Sequence, residues 1–241
     1  MMAPDKFIPP AGMPVMAHLA KLFTEGHRIA EGCYAAFYAH DHTDAGREDP
    51  SNCPGIFASP GVVIWSSKMA IDADGAAMDA HGRPGKELDP ADGQNETTYR
   101  FASGASLSSE GHSFAVIPLG DFREDTGLQI GDVMAILYGN VITYAIIGDL
   151  GPPTKIGEAS IRVHEAFKGI GEAMDPCKLR DGDGYCKRIH DVSIPRDVVF
   201  FAFPDSRHDL PAPTPANLNE LVMQAAYGRF SKLADSVASA G

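Results

Sequence analysis

The chain has 241 residues, 44% of them apolar and 22% charged, the balance of a folded globular protein with a sizeable core. Its 32 Asp and Glu outnumber 20 Lys and Arg, a formal charge of −12, and no basic run exists to displace counterions from a phosphate backbone. Nucleic acid is not expected as a partner, and no stretch reaches the roughly 20 apolar residues that insertion as a membrane-spanning helix needs. A neutral or cationic ligand suits the charge better.

Residues 1–30 predict an extended arm, with Pro4, Pro9, Pro10 and Pro14, followed by a short helix ending near Gly26. No basic segment leading into a continuous apolar core is visible there, so no standard signal peptide is apparent. Cys33 and Cys53 are 20 apart and Cys177 and Cys186 are 9 apart, each pair in polar sequence containing Pro or Gly. Two local disulfides are expected, hence a secreted or periplasmic protein, with four free thiols the alternative. Neither spacing is that of a CxxC zinc ribbon.

Strand signals follow at 61–65, 112–119, 132–138 and 140–147, short β-branched runs broken by Gly, Asp and Asn. Tyr138-Gly139-Asn140-Val141 predicts a tight hairpin. The tract 72–111 is irregular and too long for an idle loop, 158–170 mixes strand and helix signals, and 197–203 predicts a last strand. After a Pro-rich linker-like stretch, 204–217, Asn217 can cap a helix whose stripe includes Leu218, Val222 and Phe230. That helix, over 217–238, is expected to dock on the domain or on a partner. The expected organisation is 1–30 arm and helix, 31–203 β domain, and 204–241 linker and C-terminal helix.

An apolar strand running into Gly148-Asp149-Leu150-Gly151-Pro152-Pro153, with Glu158 after a further turn, places two carboxylates where a scaffold can hold them over a cleft. One protonated and one ionised carboxyl are the minimum for glycosidic bond cleavage. The alternative is a turn Asp bonded to backbone amides beside a solvent-facing Glu. The segment from Trp65 to Ala76 adds Lys68, Asp72 and Asp74 in an extended stretch, read as a strand lining a sugar cleft or as a solvated edge. Setting Gly75 at the sixth place of a calcium loop puts Ala70 first and His81 twelfth, which fails, and Asp181-Gly182-Asp183-Gly184 fails likewise. His40 and His42 lack a third anchor, so no metal site is expected. GxSxG, GxGxxG and GxxxxGK[ST] are absent, so neither a nucleophile-elbow serine nor a nucleotide site is indicated.

Lys68-Met69-x-Ile71-Asp72-x-Asp74-Gly75-Ala76, Val116-Ile117-Pro118-Leu119, Gly131-Asp132-Val133-Met134-Ala135, Tyr144-x-Ile146-x-Gly148-Asp149 and Gly157-Glu158-Ala159-Ser160-Ile161 resemble, in order, the motifs of the fungal-type chitosanases, glycoside hydrolase family 75. The resemblance implies Asp149 and Glu158 as the two essential carboxylates, and Lys68, Asp72 and Asp74 as substrate-binding groups in the cleft. It also implies a mainly β fold with a double-psi β-barrel-like core, to which the residue patterns at 1–30 and 204–241 add helical N- and C-terminal extensions. The Asp-x-Gly-Pro turn and trailing helix are similar to those of barrel enzymes that cut peptidoglycan strands. The expected function is cleavage within a β-1,4-linked amino-sugar polymer, chitosan first, by acid and base carboxylates with inversion and without a cofactor. A peptidoglycan-lytic enzyme, such as a secreted antibacterial effector, and a non-catalytic carbohydrate-binding barrel are the rival expectations.

Overall fold

A computed structural model describes residues 27–28, 56–59, 61–75, 85–90, 93–190 and 192–239. Cys33, Cys53 and all but two residues of the expected N-terminal arm and helix lie outside these. The fold is mainly β. In chain order the strands are β1 (His27–Arg28), β2 (Ile56–Ser59), β3 (Val62–Asp72), β4 (Phe114–Pro118), β5 (Val133–Tyr138), β6 (Val141–Gly151), β7 (Glu158–Ser160), β8 (Cys177–Arg180), β9 (Cys186–Ile189) and β10 (Val192–Phe203). The helices are α1 (Gly85–Leu88), α2 (Asp121–Thr126), α3 (Ile161–Phe167) and α4 (Leu218–Ser239).

The main sheet runs β1-β2-β3-β10-β5-β6-β4-β7, and β7 also pairs with β3. Six strands therefore close into a barrel, β3-β10-β5-β6-β4-β7, with β1 and β2 extending it from β3. Two of the six seams, β4–β6 and β3–β7, are parallel; the others are antiparallel. Closure removes free edges and makes each strand alternate between an interior and an exterior face. Val63, Trp65, Ala115, Ile117, Met134, Ile136, Ala145, Ile147, Ala159, Phe200 and Ala202, drawn from all six strands, fill the interior. Trp65 stacks on Phe200 with ring centroids 5.0 Å apart, so the lone tryptophan is a core residue and lines no cleft.

The strand β3 runs through Ser66, Ser67 and Lys68, well past the apolar run that marks its start, because β10 and then β7 supply hydrogen-bond partners along its length. The hairpin falls where Gly139 predicts it: Tyr138 pairs with Val141, and Gly139 alone takes positive φ, 57°. Residues 158–167 hold both signals read in them, three strand residues and then α3, which Ser160 caps by accepting from the Val163 N–H.

The exterior of β5, β6 and β10 is covered by α4. Leu218, Val222, Ala226 and Phe230 bury their side chains against Phe201, Tyr144, Ile146 and their neighbours. Each fully buried Leu, Val or Phe stabilises by about 1.5–3 kcal/mol, so this contact fixes the helix on its own barrel. The Pro-rich stretch before it is also tied down. The His112 Nε2–H donates to the Pro215 carbonyl (3.2 Å), and Asn219 bonds the Ser113 N–H (3.0 Å) and the Gly111 carbonyl (2.9 Å). Cys177 and Cys186 form the expected local disulfide across the β8–β9 hairpin. No helix among the described residues is long and apolar enough to cross a membrane.

Candidate active site

The strand ladders bring the two carboxylates together. Val116 on β4 is flanked by Asp149 on β6 and Glu158 on β7, and Glu158 pairs in turn with Ala70 on β3. Ala115, Ile117 and Ala159 face the interior, so Val116 and Glu158 face out, and Asp149 with them. Lys68 and Asp72 stand two residues to either side of Ala70 and share its face. Four polar side chains thus meet on one outward patch of the wall.

Asp149 reaches that face through a β-bulge. Ile147 and Asp149 pair with the consecutive residues Ala115 and Val116, leaving Gly148 as an extra residue. In a regular strand the residue two beyond the interior Ile147 would also point inward; the bulge turns Asp149 outward instead. Position 148 must be glycine for a steric reason. A Cβ there would lie 2.7 Å from Cβ of Phe114 and overlap a methyl group of Leu107.

One oxygen of Asp149 is saturated. Its Oδ1 accepts from the Thr98 N–H (2.9 Å), the Thr98 hydroxyl (2.6 Å) and the Leu150 N–H (2.8 Å). Burial raises its pKa, and these bonds, with the nearby Arg100 charge, work against the rise by favouring the ionised form. Among the described residues nothing donates to Oδ2.

The carboxyls at the end of β3 are arranged as a relay of turns. Asp72 Oδ1 accepts from the Asp74 N–H (2.6 Å), and Asp74 Oδ1 accepts from the Gln94 N–H (2.6 Å). Asp72, Asp74 and Asp149 each bring an oxygen within 4.8 Å of the other two, an all-oxygen set of the chemistry that suits a hard cation or an ammonium group. Burial first, then the charges of Glu158, Asp74 and Asp149, push Asp72 well above the ordinary carboxylate range. Asp74 is pushed up to about 6, chiefly by burial, with the Gln94 N–H opposing.

Glu158 Oε1 accepts from Lys155 Nζ at 2.9 Å, and a Cβ on Gly151 would lie 3.6 Å from Oε2. The Glu158 side chain therefore leans across β4 toward β6. Burial raises its pKa, while Lys155 and, less strongly, Lys68 lower it. Lys68 Nζ also reaches the Ile156 carbonyl at 3.5 Å. The approach to β7 is tight: Gly157, with φ 76°, packs directly against the Lys68 carbonyl, leaving no room for a side chain.

Lys68, Asp72, Asp149 and Glu158 are 5%, 6%, 6% and 9% exposed, whereas Asp74, Leu150 and Gly151 are half-buried and Thr98 is exposed. Thr98, Leu150, Gly151 and Asp74 thus mark where the buried carboxyls meet solvent. All five residues expected from the sequence, Lys68, Asp72, Asp74, Asp149 and Glu158, fall in this one cluster. Thr98 and Lys155 belong to it and were not anticipated. Lys155 had a signal, a cation three residues before Glu158 in a turn. Thr98, deep in the irregular tract, had none.

A closed barrel that gathers buried carboxyls on one wall holds the kind of groups that hydrolysis by carboxylates requires. Over residues 69–240 the chain matches the family described as fungal chitosanase of glycosyl hydrolase group 75, and it belongs to that family. The protein is accordingly a glycoside hydrolase of the chitosanase type. No curated protein matches the chain.

Proposed function

We propose that the enzyme cleaves chitosan within the chain, with Glu158 as the acid that protonates the departing oxygen and Asp149 as the base that holds the attacking water, inverting the anomeric centre. The observation that carries this reading is the pairing of both residues with Val116, on one face and on opposite sides of β4. Asp149 has the character of a base: three donors occupy Oδ1 and favour its ionised form, leaving Oδ2 to accept from water. Glu158, buried and with its proton affinity raised, has the character of an acid.

The carboxyl oxygens of Asp72, Asp74 and Asp149, within 4.8 Å of one another, favour a substrate bearing ammonium groups, as deacetylated glucosamine does. Lys68, Asp72 and Asp74 are assigned to substrate binding. The Cys177–Cys186 disulfide supports a site of action outside a reducing cytosol.

The test is reducing-end release from chitosan, with purified peptidoglycan sacculi in parallel and the anomer of the first product read by proton NMR. Release from chitosan with the inverted anomer formed first is expected. Release of muropeptides with chitosan untouched would replace this substrate by peptidoglycan. Binding of polymer without turnover would leave a carbohydrate-binding barrel.

A further inference from the structure

Gly151, the last residue of β6, is a glycine that its own backbone does not require. Its φ lies outside the left-handed region, and the Pro152 that follows favours an extended conformation in which any side chain fits. The strand bulge is three residues earlier, at Gly148, and the pairing of Leu150 and Gly151 with Ile117 and Pro118 is regular. Gly148 is closed in by Phe114 and Gly157 by the Lys68 carbonyl, neighbours that cannot withdraw. At Gly151 a Cβ would meet, among the described residues, only Val116 Cγ1 at 3.1 Å and Glu158 Oε2 at 3.6 Å. Both are ends of side chains.

The bare position lies among the working groups. Leu150 packs with the interior cluster, so Gly151 faces outward, two residues beyond Asp149 on the same strand. The Leu119 N–H donates to the Gly151 carbonyl at 3.0 Å and holds the backbone in place. Glu158 turns its two oxygens to different neighbours. Lys155 Nζ donates to Oε1 at 2.9 Å, whereas Oε2 is the oxygen nearest Gly151 and has no donor among the described residues. Gly151 is half-buried, so the space beside it is reached from solvent. Glycine weakens a strand, and outside bulges and bends it marks the close approach of another backbone or of a ligand. No backbone among the described residues comes within 4 Å of the missing Cβ, which leaves a ligand.

We propose that Gly151 seats the substrate: the sugar ring whose bond is cleaved lies over its bare Cα, with Glu158 Oε2 facing the departing oxygen. Lys155, by occupying Oε1, leaves the proton of the acid on Oε2, the oxygen beside that ring. This rests on the reading of Glu158 as the acid and Asp149 as the base. A side chain at 151 would fill the seat and leave both carboxyls where they are, since Asp149 is held by Thr98 and Leu150 and Glu158 by Lys155.

The experiment is calorimetric binding of a glucosamine hexamer to Glu158→Gln, alone and combined with Gly151→Ala or Gly151→Val. Thermal unfolding reports whether each protein is folded. Ala and Val are expected to weaken hexamer binding about fivefold and about fiftyfold, in order of size. The single variants Gly151→Ala and Gly151→Val are expected to lose kcat/KM on chitosan in the same order, with the limbs of the pH profile within about 0.3 unit of wild type, because neither carboxyl moves. In Glu158→Gln with Gly151 intact, the Gly151 amide NMR signal is expected to shift on saturation with hexamer. A glycine that only spares Val116 would show the reverse, a lower melting temperature with hexamer affinity unchanged. The seat is overturned if a folded Gly151→Val combination binds within about twofold of Glu158→Gln, if the Gly151 signal does not move, or if Glu158→Gln itself binds no hexamer. Wild-type turnover by Glu158→Gln would instead remove the acid assignment, and the binding comparison would still decide the seat.

Discussion

Thr98 donates both its backbone N–H and its hydroxyl to a single oxygen of Asp149, at 2.9 and 2.6 Å. A side chain from the irregular tract thereby orients the carboxylate that a strand bulge turns outward, and Oδ2 is left as the oxygen that can meet water. Replacing Thr98 by Val removes the hydroxyl and keeps the N–H. A hydrogen bond to a charged group contributes about 1.5–3 kcal/mol, so kcat on chitosan is expected to fall about 10- to 100-fold with a smaller change in KM. Thr98→Ser is expected to stay within about threefold of wild type, because its hydroxyl can make the same bond.

Gly148 decides which way Asp149 faces. Its Cβ-free backbone lets Phe114 and Leu107 close over the bulge. Gly148→Ala is expected to destabilise the protein by about 1–3 kcal/mol, the usual cost of forcing an extra methyl group into a packed site. It is also expected to lower activity, because relief of the clash shifts the residue next to it. Urea unfolding read beside kcat separates the two effects.

The carboxyl cluster sets a sign for the pH dependence of stability. Asp74 binds its proton more tightly folded, with a pKa of about 6, than its ordinary value of 3.8. The folded state therefore holds the extra proton between those values, and the contribution, full below 3.8, is lost as pH rises through about 6. Asp74→Asn is expected to raise the melting temperature relative to wild type at pH 7 and to change it little at pH 3.5. His164 works in the opposite sense: burial lowers its pKa to about 4, so its contribution is present above 6.5 and lost as pH falls toward 4.

The β8–β9 hairpin backs the acidic end of β3, where Ile71 and Ala73 alternate with Asp72 and pack with Leu88, Ile161, Cys177, Cys186 and Ile189. The Cys177–Cys186 bridge spans a separation of 9 residues. A loop of that length is worth about 2.7 kcal/mol on the chain-entropy account. Replacing both cysteines by Ser is expected to lower unfolding stability by about that amount, measured in urea under non-reducing conditions.

Much of this fold was legible because β-branched runs between Gly, Asp and Asn mark strands whichever way they pair. The strands near 114–118, 133–138 and 141–147 and the stripe Leu218, Val222 and Phe230 lie where the pattern puts them. The continuation of β3 through Ser66-Ser67-Lys68 was not legible, since it depends on partners supplied by β10 and β7. The linker-like reading of 204–217 missed its ties to His112 for the same reason: the partner is about a hundred residues away in sequence.

Within the site, the family motifs pointed to Asp149, Glu158, Lys68, Asp72 and Asp74, but alternation alone would have turned Asp149 inward. Its outward aim depends on one inserted glycine and a pairing register that no local pattern carries. Thr98 is joined to Asp149 across 51 positions and offers only a polar residue in a loop as its local sign.

The most direct measurement is reducing-end release from chitosan by folded wild-type, Asp149→Asn and Glu158→Gln proteins at matched concentration. Both substitutions keep side-chain size and remove the ability to exchange a proton. The account predicts that each lowers kcat by about 100- to 10,000-fold. Wild-type turnover retained by either variant would contradict it.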